Sequence, residues 1–271
     1  MSRSYLFIPG NTPNMVQNLD IFESDAVIID FEDSVMSYDK DAARILIQNF
    51  LQKFPLQEGT IYIRINDVEN SHFEADILAT RDLKIAGYVL PKASVEAIDK
   101  LNQLSSGLSI IPIIESPIAL LESKQIATSK NVIGLLFGAE DYTKEMGIER
   151  TLEAKELLYP RSHIAVVCRA YNIEAIDTPY TAKDDDAGLQ QDAMNAKALG
   201  FTAKALIHPN QVDTINRIFA PSPEEILQAK RILKKSEELQ KGAFSLDGKM
   251  IDLPIIEKAK KVLEKAQKYG L

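Results

Sequence analysis

Ser109-Ile-Ile-Pro-Ile-Ile114, followed at once by Glu115-Ser116-Pro117, is a β-rich run that halts at a carboxylate and gives way to the start of a helix. Apolar residues that are continuous rather than alternating mark a strand covered on both faces, as in a parallel sheet. Ser116 reads as a helix N-cap and Pro117 as the first helical position, so Glu115 stands at the carboxyl end of the strand. Runs of the same kind recur at Ser4–Ile8, Ala26–Asp30, Thr60–Ile65, Gly87–Leu90, Val132–Phe137, Glu174–Asp177 and Lys204–Ile207. Helical patterns fill the gaps of roughly 20 to 40 residues between them, which is the rhythm of an α/β (β/α)₈ TIM barrel. A doubly wound sheet fits less well, because neither a G-x-G-x-x-G turn nor a P-loop follows an early strand. The barrel is expected over residues 1–220.

Beyond Ala220 the pattern becomes helical. Ser222 and Glu225 form a capping box around Pro223, and the helix they start is expected to reach about Gln240. Gly242–Gly248 reads as a loop. Ile255, Ile256, Ala259, Val262, Leu263 and Ala266 then give the apolar stripe of a last amphipathic helix. Residues 221–271 are therefore read as a C-terminal helical arm.

Hydrophobic residues make up 45% of the 271 and charged residues 26%, the composition of a globular chain rather than a disordered one. The opening Met1-Ser-Arg-Ser-Tyr-Leu-Phe-Ile-Pro9 reaches proline after a short apolar run, and no run is long enough to span a bilayer, so no secretory signal or membrane partner is expected and the cytoplasm is the expected location. A formal charge of −8 argues against nucleic acid, which needs a basic stripe to displace counterions. Cys168 is the single cysteine, and its place in a helical run makes a buried, inert thiol the expectation.

Catalytic groups of such barrels sit where strands end. Here the strands end at Asn11; at Asp30, Glu32 and Asp33; at Arg64 and Asn66; at Lys92; at Glu115; at Gly138-Ala139-Glu140-Asp141; at Asp177; and at His208. A desolvated charge costs several kcal/mol unless paired or metal-bound, so this set exceeds what folding requires. Glu115 and Asp141 are the candidate metal ligands, and their hard oxygens suit Mg²⁺, with Mn²⁺ as a second fit. His72, His163 and His208 lack zinc-site spacing. The plainer alternatives are a Glu115 paired with Arg64 or Lys92, and an Asp141 that only meets a helix dipole. Arg64 offers a planar fork for a carboxylate or an enolate oxygen, or else neutralises Glu32 or Asp33. A Schiff base on Lys92 is disfavoured, since surrounding carboxylates raise a lysine pKa. Lys183-Asp-Asp-Asp186 reads as a solvated cap for the helix that follows.

At these residues the chain resembles the citrate lyase beta-subunit-like branch of the HpcH/HpaI aldolase family, which includes malyl-CoA, citramalyl-CoA and citryl-CoA lyases. The resemblance rests on Arg3-Ser-Tyr-Leu-Phe-Ile-Pro-Gly10, Asp30-Phe-Glu-Asp-Ser34, Ile63-Arg-Ile-Asn66, Leu90-Pro-Lys92, Ile114-Glu-Ser116, Phe137-Gly-Ala-Glu-Asp141, Ile207-His-Pro209 and Gly248-Lys-Met-Ile-Asp252. It implies a lyase that cleaves a 3-hydroxyacyl-CoA, with Mg²⁺ on Glu115 and Asp141. It also implies Arg64 at the thioester or enolate oxygen, and Asp252 as an acid/base supplied by a neighbouring subunit of a homo-oligomer, a trimer or hexamer. Arg64, Lys92 and the sixth-strand loop, Gly138, Ala139 and Glu140, form the implied substrate-binding set. Asn18 departs from the lysine common at its position. His208 stands where the subunit of the citrate lyase complex tends to have asparagine, which favours a stand-alone CoA-ester lyase. Asp252 has its own plain alternative, an N-cap for the helix near Pro254.

Overall fold

The computed structural model describes residues 2–54, 60–239 and 242–271. Eight parallel strands close in sequence order into a barrel. They are β1 (Ser4–Pro9), β2 (Ala26–Asp30), β3 (Thr60–Arg64), β4 (Gly87–Leu90), β5 (Ser109–Ile114), β6 (Gly134–Phe137), β7 (Glu174–Asp177) and β8 (Ala203–Leu206). Every residue of β2, β4, β6 and β8 is buried, as the continuous apolar runs require of strands covered on both faces. Closure comes from β1 pairing with both β2 and β8. Inward side chains such as Tyr5, Ile28, Tyr62, Ile111 and Leu136 fill the interior, so the barrel is a packed core. Val132 contributes only an isolated bridge to Ile110, which moves the start of β6 to Gly134.

The helices α1 (Pro13–Gln17), α2 (Lys40–Lys53), α3 (Phe73–Thr80), α4 (Val95–Leu104), α5 (Pro117–Leu121), α6 (Ser123–Thr128), α7 (Ala139–Met146), α8 (Leu158–Tyr171), α9 (Asp186–Leu199) and α10 (Val212–Phe219) follow the strands. Ser116 caps α5 by accepting a hydrogen bond from Ala119 N–H at 3.0 Å, with Pro117 in the first turn. Asp185 caps α9 by accepting from Gly188 N–H at 2.9 Å, so the Lys183–Asp186 run is a cap.

Contacts divide the chain into a barrel unit that ends at Ile215 and a second unit, Asn216–Leu271. The division falls inside α10, ahead of the Ala220–Pro221 boundary read from the sequence. The second unit holds α11 (Pro223–Leu239), the two-stranded ribbon β9 (Phe244–Leu246) and β10 (Lys249–Ile251), and α12 (Leu253–Lys268). The capping box is formed: Ser222 N–H donates to Glu225 at 2.8 Å, and Glu225 N–H donates to Ser222 Oγ at 3.1 Å. The expected end of that helix, Gln240, lies outside the described residues. The expected Gly242–Gly248 loop is instead largely a hairpin, because Asp247 and Gly248 both adopt positive φ, 51° and 75°, and reverse the chain tightly. Ala229, Ile232, Ile251, Ile256 and Ala259 give this unit a core of its own.

Candidate active site

A cavity of about 420 Å³ opens at the carboxyl ends of the strands. Five carboxylates line it, Asp30, Asp33, Glu115, Glu140 and Asp141, against one guanidinium, Arg64. Phe7, Ile113, Leu136 and Ile207 supply apolar wall.

Arg64 is fixed before any ligand arrives. Asp30, 2% exposed at the end of β2, accepts from its Nε and Nη2, both at 2.7 Å. Nη1 faces Glu32 at 2.9 Å and Asp33 at 3.5 Å. The guanidinium carbon lies 5.1 Å from the Phe7 ring centroid, within cation–π range. Burial alone would push the Asp30 carboxyl up, but Arg64 and the N–H groups of Glu32 and Ser34 hold it below the usual carboxylate range. Glu32 behaves oppositely: burial, with Asp33 beside it, outweighs Arg64 and pushes it up to about 8. The neutralising reading of Arg64 thus has a real basis, although its principal partner is Asp30. Arg64 nonetheless lines the cavity.

Glu115 is 8% exposed. Its Oε1 accepts from the Lys92 backbone N–H at 2.6 Å, a bond that Lys92 offers because its φ is +47°. Burial pushes Glu115 up to about 7; the Lys92 N–H pulls it down, and the negative charge of Asp141 raises it. The plain alternative, a Glu115 ion-paired with Arg64 or Lys92, is not what the geometry shows among the described residues. Among those residues Glu115 has no ion pair, and the Lys92 ammonium instead pairs with Asp67 at 2.9 Å. Gly138 makes room for the carboxylate, since a Cβ there would lie 2.7 Å from Glu115 Cβ and 2.9 Å from Glu115 Oε2. Asp141 stands in the first turn of α7, half-exposed, with only a 3.9 Å approach from Lys144.

These contacts test the cavity as a cation site. The Glu140 charge is answered by Arg150, and the charges of Asp30 and Asp33 by Arg64. Glu115 and Asp141 are left as hard oxygen donors lining one space, and among the described residues Glu115, though buried, has no ion-pair partner within 4.0 Å. That donor set fits an oxygen-seeking divalent cation such as Mg²⁺.

Several strand-end residues do not join the cavity. The Lys92 side chain turns to Asp67, so only its backbone serves Glu115. Asn66 is buried and bonded to Lys40 at 2.7 Å and to Asp76 at 2.6 Å. Asp177 is fully buried among Arg161 at 2.9 Å and Lys204 at 2.5 Å, an ion network inside the wall. His208 Nδ1 accepts from Asn210 N–H at 3.2 Å as a local cap. Cys168 is buried and its thiol is pushed up to about 12 by that burial, so it is inert. In the second unit Asp252 accepts from Ile255 N–H at 3.3 Å and caps α12. Thr178 lines the site without having been singled out, and Phe7 and Ile207, which fell within the runs that carry the resemblance, had been given no role; apolar and hydroxyl side chains carry little chemical signal of their own in a sequence.

A closed parallel barrel with a carboxylate-rich cavity at the carboxyl ends of its strands defines a (β/α)₈-barrel enzyme. Within that class, the chain belongs to the HpcH/HpaI aldolase/citrate lyase family, whose model matches residues 3–209. It is 35% identical to a citrate lyase subunit beta of Haemophilus influenzae, over 98% of this chain and 97% of that one. It is 29% identical to a mitochondrial citramalyl-CoA lyase of Rattus norvegicus, over 96% of this chain and 85% of the relative. The fold superposes with a TM-score of 0.84 on the protein CitE of Mycobacterium tuberculosis in complex with magnesium, acetoacetate and coenzyme A, at 28% identity over 97% of both chains. No helix among the described residues is long and apolar enough to cross a membrane.

Proposed function

We propose that this chain is a Mg²⁺-dependent carbon–carbon lyase that cleaves a 3-hydroxyacyl-CoA of the citramalyl, malyl or citryl type into acetyl-CoA and a 2-oxo acid. The observation that carries the reading is Glu115 and Asp141 lining one cavity with a pre-oriented Arg64. The likeness to a citramalyl-CoA lyase and to a magnesium and coenzyme A complex supports the substrate class.

Glu115 and Asp141 would hold the cation, which supplies a fixed positive charge that lowers the pKa of the substrate hydroxyl and orients its carboxylate. Arg64 does the complementary task. As the carbon–carbon bond breaks, its electron pair moves onto the thioester side, and the guanidinium stabilises the oxygen that gains charge. Asp30 keeps that fork in place throughout, so no reorganisation is needed when charge develops. Gly138, Ala139 and Glu140 line the substrate space. In this reading Asp252 is the acid/base, acting from the arm of a neighbouring subunit in a trimer or hexamer: it takes the proton that the substrate hydroxyl loses and gives a proton to the carbon that completes acetyl-CoA, and the cytoplasm is its place of work.

The identity with a citrate lyase subunit beta favours a second reading, in which a carrier protein rather than CoA bears the thioester. Incubating the protein with malyl-CoA, citramalyl-CoA and citryl-CoA, with Mg²⁺ or with a chelator, tests both. One of the three should release acetyl-CoA only when metal is present. Turnover that persists under chelation contradicts the proposal, and turnover of a carrier-bound substrate alone selects the second reading.

A further inference from the structure

We propose that Arg150 is a positioning residue that clamps the first turn of α7 to the loop after β7 and thereby decides where Asp141 stands in the cavity. The inference rests on the metal-lyase reading for its consequence in catalysis, but its geometry is independent of that reading.

Arg150 belongs to the segment after α7, which turns back at Gly147. Its side chain is only 15% exposed, although most residues of this segment face solvent. One arm of the guanidinium, Nη1, pairs with Glu140, and the other, Nη2, donates to Pro179 O at 2.7 Å. Both partners line the cavity, and Arg150 does not. Each partner is next in sequence to a residue that matters there: Glu140 precedes Asp141, and Pro179 follows Thr178. Thr178 Oγ1 in turn accepts from Ala139 N–H at 3.3 Å, a second, weaker tie between the same two segments. The guanidinium presents its two donor nitrogens to the two acceptors in a fixed planar geometry, which a lysine ammonium reproduces only in part. It also has a charge role. Glu140 and Asp141 are adjacent carboxylates at one helix start, and pairing Glu140 with Arg150 leaves Asp141 as the one free to meet a cation.

A neighbouring cavity of about 190 Å³, bordered by Arg150, Thr151, Leu152, Tyr180 and Thr181, gives a substituted side chain room without a clash. Arg150→Gln and Arg150→Lys should therefore fold. The test reads amide exchange at Ala139 in the metal-free protein and Mg²⁺ affinity by calorimetry. Arg150→Gln should speed Ala139 exchange about tenfold and weaken Mg²⁺ about tenfold, with the global melting temperature nearly unchanged. Arg150→Lys should fall between it and wild type. In Glu140→Gln/Arg150→Gln the net charge beside Asp141 returns to that of the unaltered protein, so a Mg²⁺ affinity that stays weakened there reports the lost clamp rather than the changed charge, and the amide protection should not return. Wild-type exchange and wild-type affinity in Arg150→Gln would overturn the proposal, as would changes that merely track a loss of global stability. If the unaltered protein bound no Mg²⁺, the metal reading would fall, while the Ala139 exchange would still decide the clamp.

Discussion

At the scale of single residues, function depends on which charges are answered and which are left open. All three Arg64 nitrogens have acidic partners, and the value of the residue lies in the planar fork that Asp30 holds at two points 2.7 Å away. Arg64→Lys keeps a charge but loses the fork, so kcat should fall by about 10²-fold or more while Mg²⁺ affinity changes little. Steady-state kinetics alongside metal titration checks this, and an unchanged kcat would reduce Arg64 to a structural ion pair. Glu115 carries the pH dependence. Its folded pKa of about 7 lies above the ordinary 4.5, so between those values the folded chain binds a proton that the unfolded chain has lost. The metal-free protein therefore holds this contribution fully below the unfolded value and loses it as pH rises through about 7. Measured by denaturant unfolding, metal-free wild type should lose stability relative to Glu115→Gln across that window, and a flat difference would show that Glu115 is not desolvated as described. Glu115 was legible in the sequence because a strand ran straight into it and a Ser-Pro helix start fixed its place. Lys92 was not: a positive φ, invisible in the sequence, turns its side chain toward Asp67 and its N–H toward Glu115.

At the scale of elements, strands announced by uninterrupted apolar runs were readable almost to the residue, as with Ala26–Asp30 and Ser109–Ile114. The hairpin Phe244–Ile251 carried a signal too, the Asp247-Gly248 pair, but each of its strands has only three residues. What the sequence could not display was long-range charge pairing. Asp177, at the end of β7, reads as one more acid of the active-site rim, yet it belongs to a network with Arg161, Asp192 and Lys204 drawn from α8, α9 and β8. The three ammonium protons of Lys204 have Asp177 at 2.5 Å, Asp192 at 2.6 Å and Thr178 O at 2.7 Å as acceptors, with no exposure of the side chain. Removing one member of such a network leaves uncompensated buried charge, so Lys204→Met should destabilise the protein by about 3–5 kcal/mol in denaturant unfolding. A loss under about 1 kcal/mol would mean that the network is dispensable.

At the scale of the whole molecule, two units, one ending at Ile215 and the other running from Asn216 to Leu271, carry the residues of the proposed mechanism: Arg64, Glu115 and Asp141 in one, Asp252 in the other. Asp252 caps α12, which the sequence allowed as an alternative, and a cap can also be an acid if a neighbouring cavity receives it. If a neighbour's arm completes each site, Arg64→Ala and Asp252→Ala homomers should both be inactive, and a verified mixed oligomer should regain part of the activity, because some sites then combine an intact Arg64 with an intact Asp252. Mixed oligomers no more active than the separate variants would return Asp252 to capping or to work within its own chain. The central claim, that Glu115 and Asp141 together make this barrel a metal enzyme, is met most directly by calorimetric titration of Mg²⁺ into the unaltered protein, Glu115→Gln and Asp141→Asn. The account predicts binding to the first and its loss in both variants with the fold intact; Mg²⁺ bound by either variant at the wild-type affinity would contradict it.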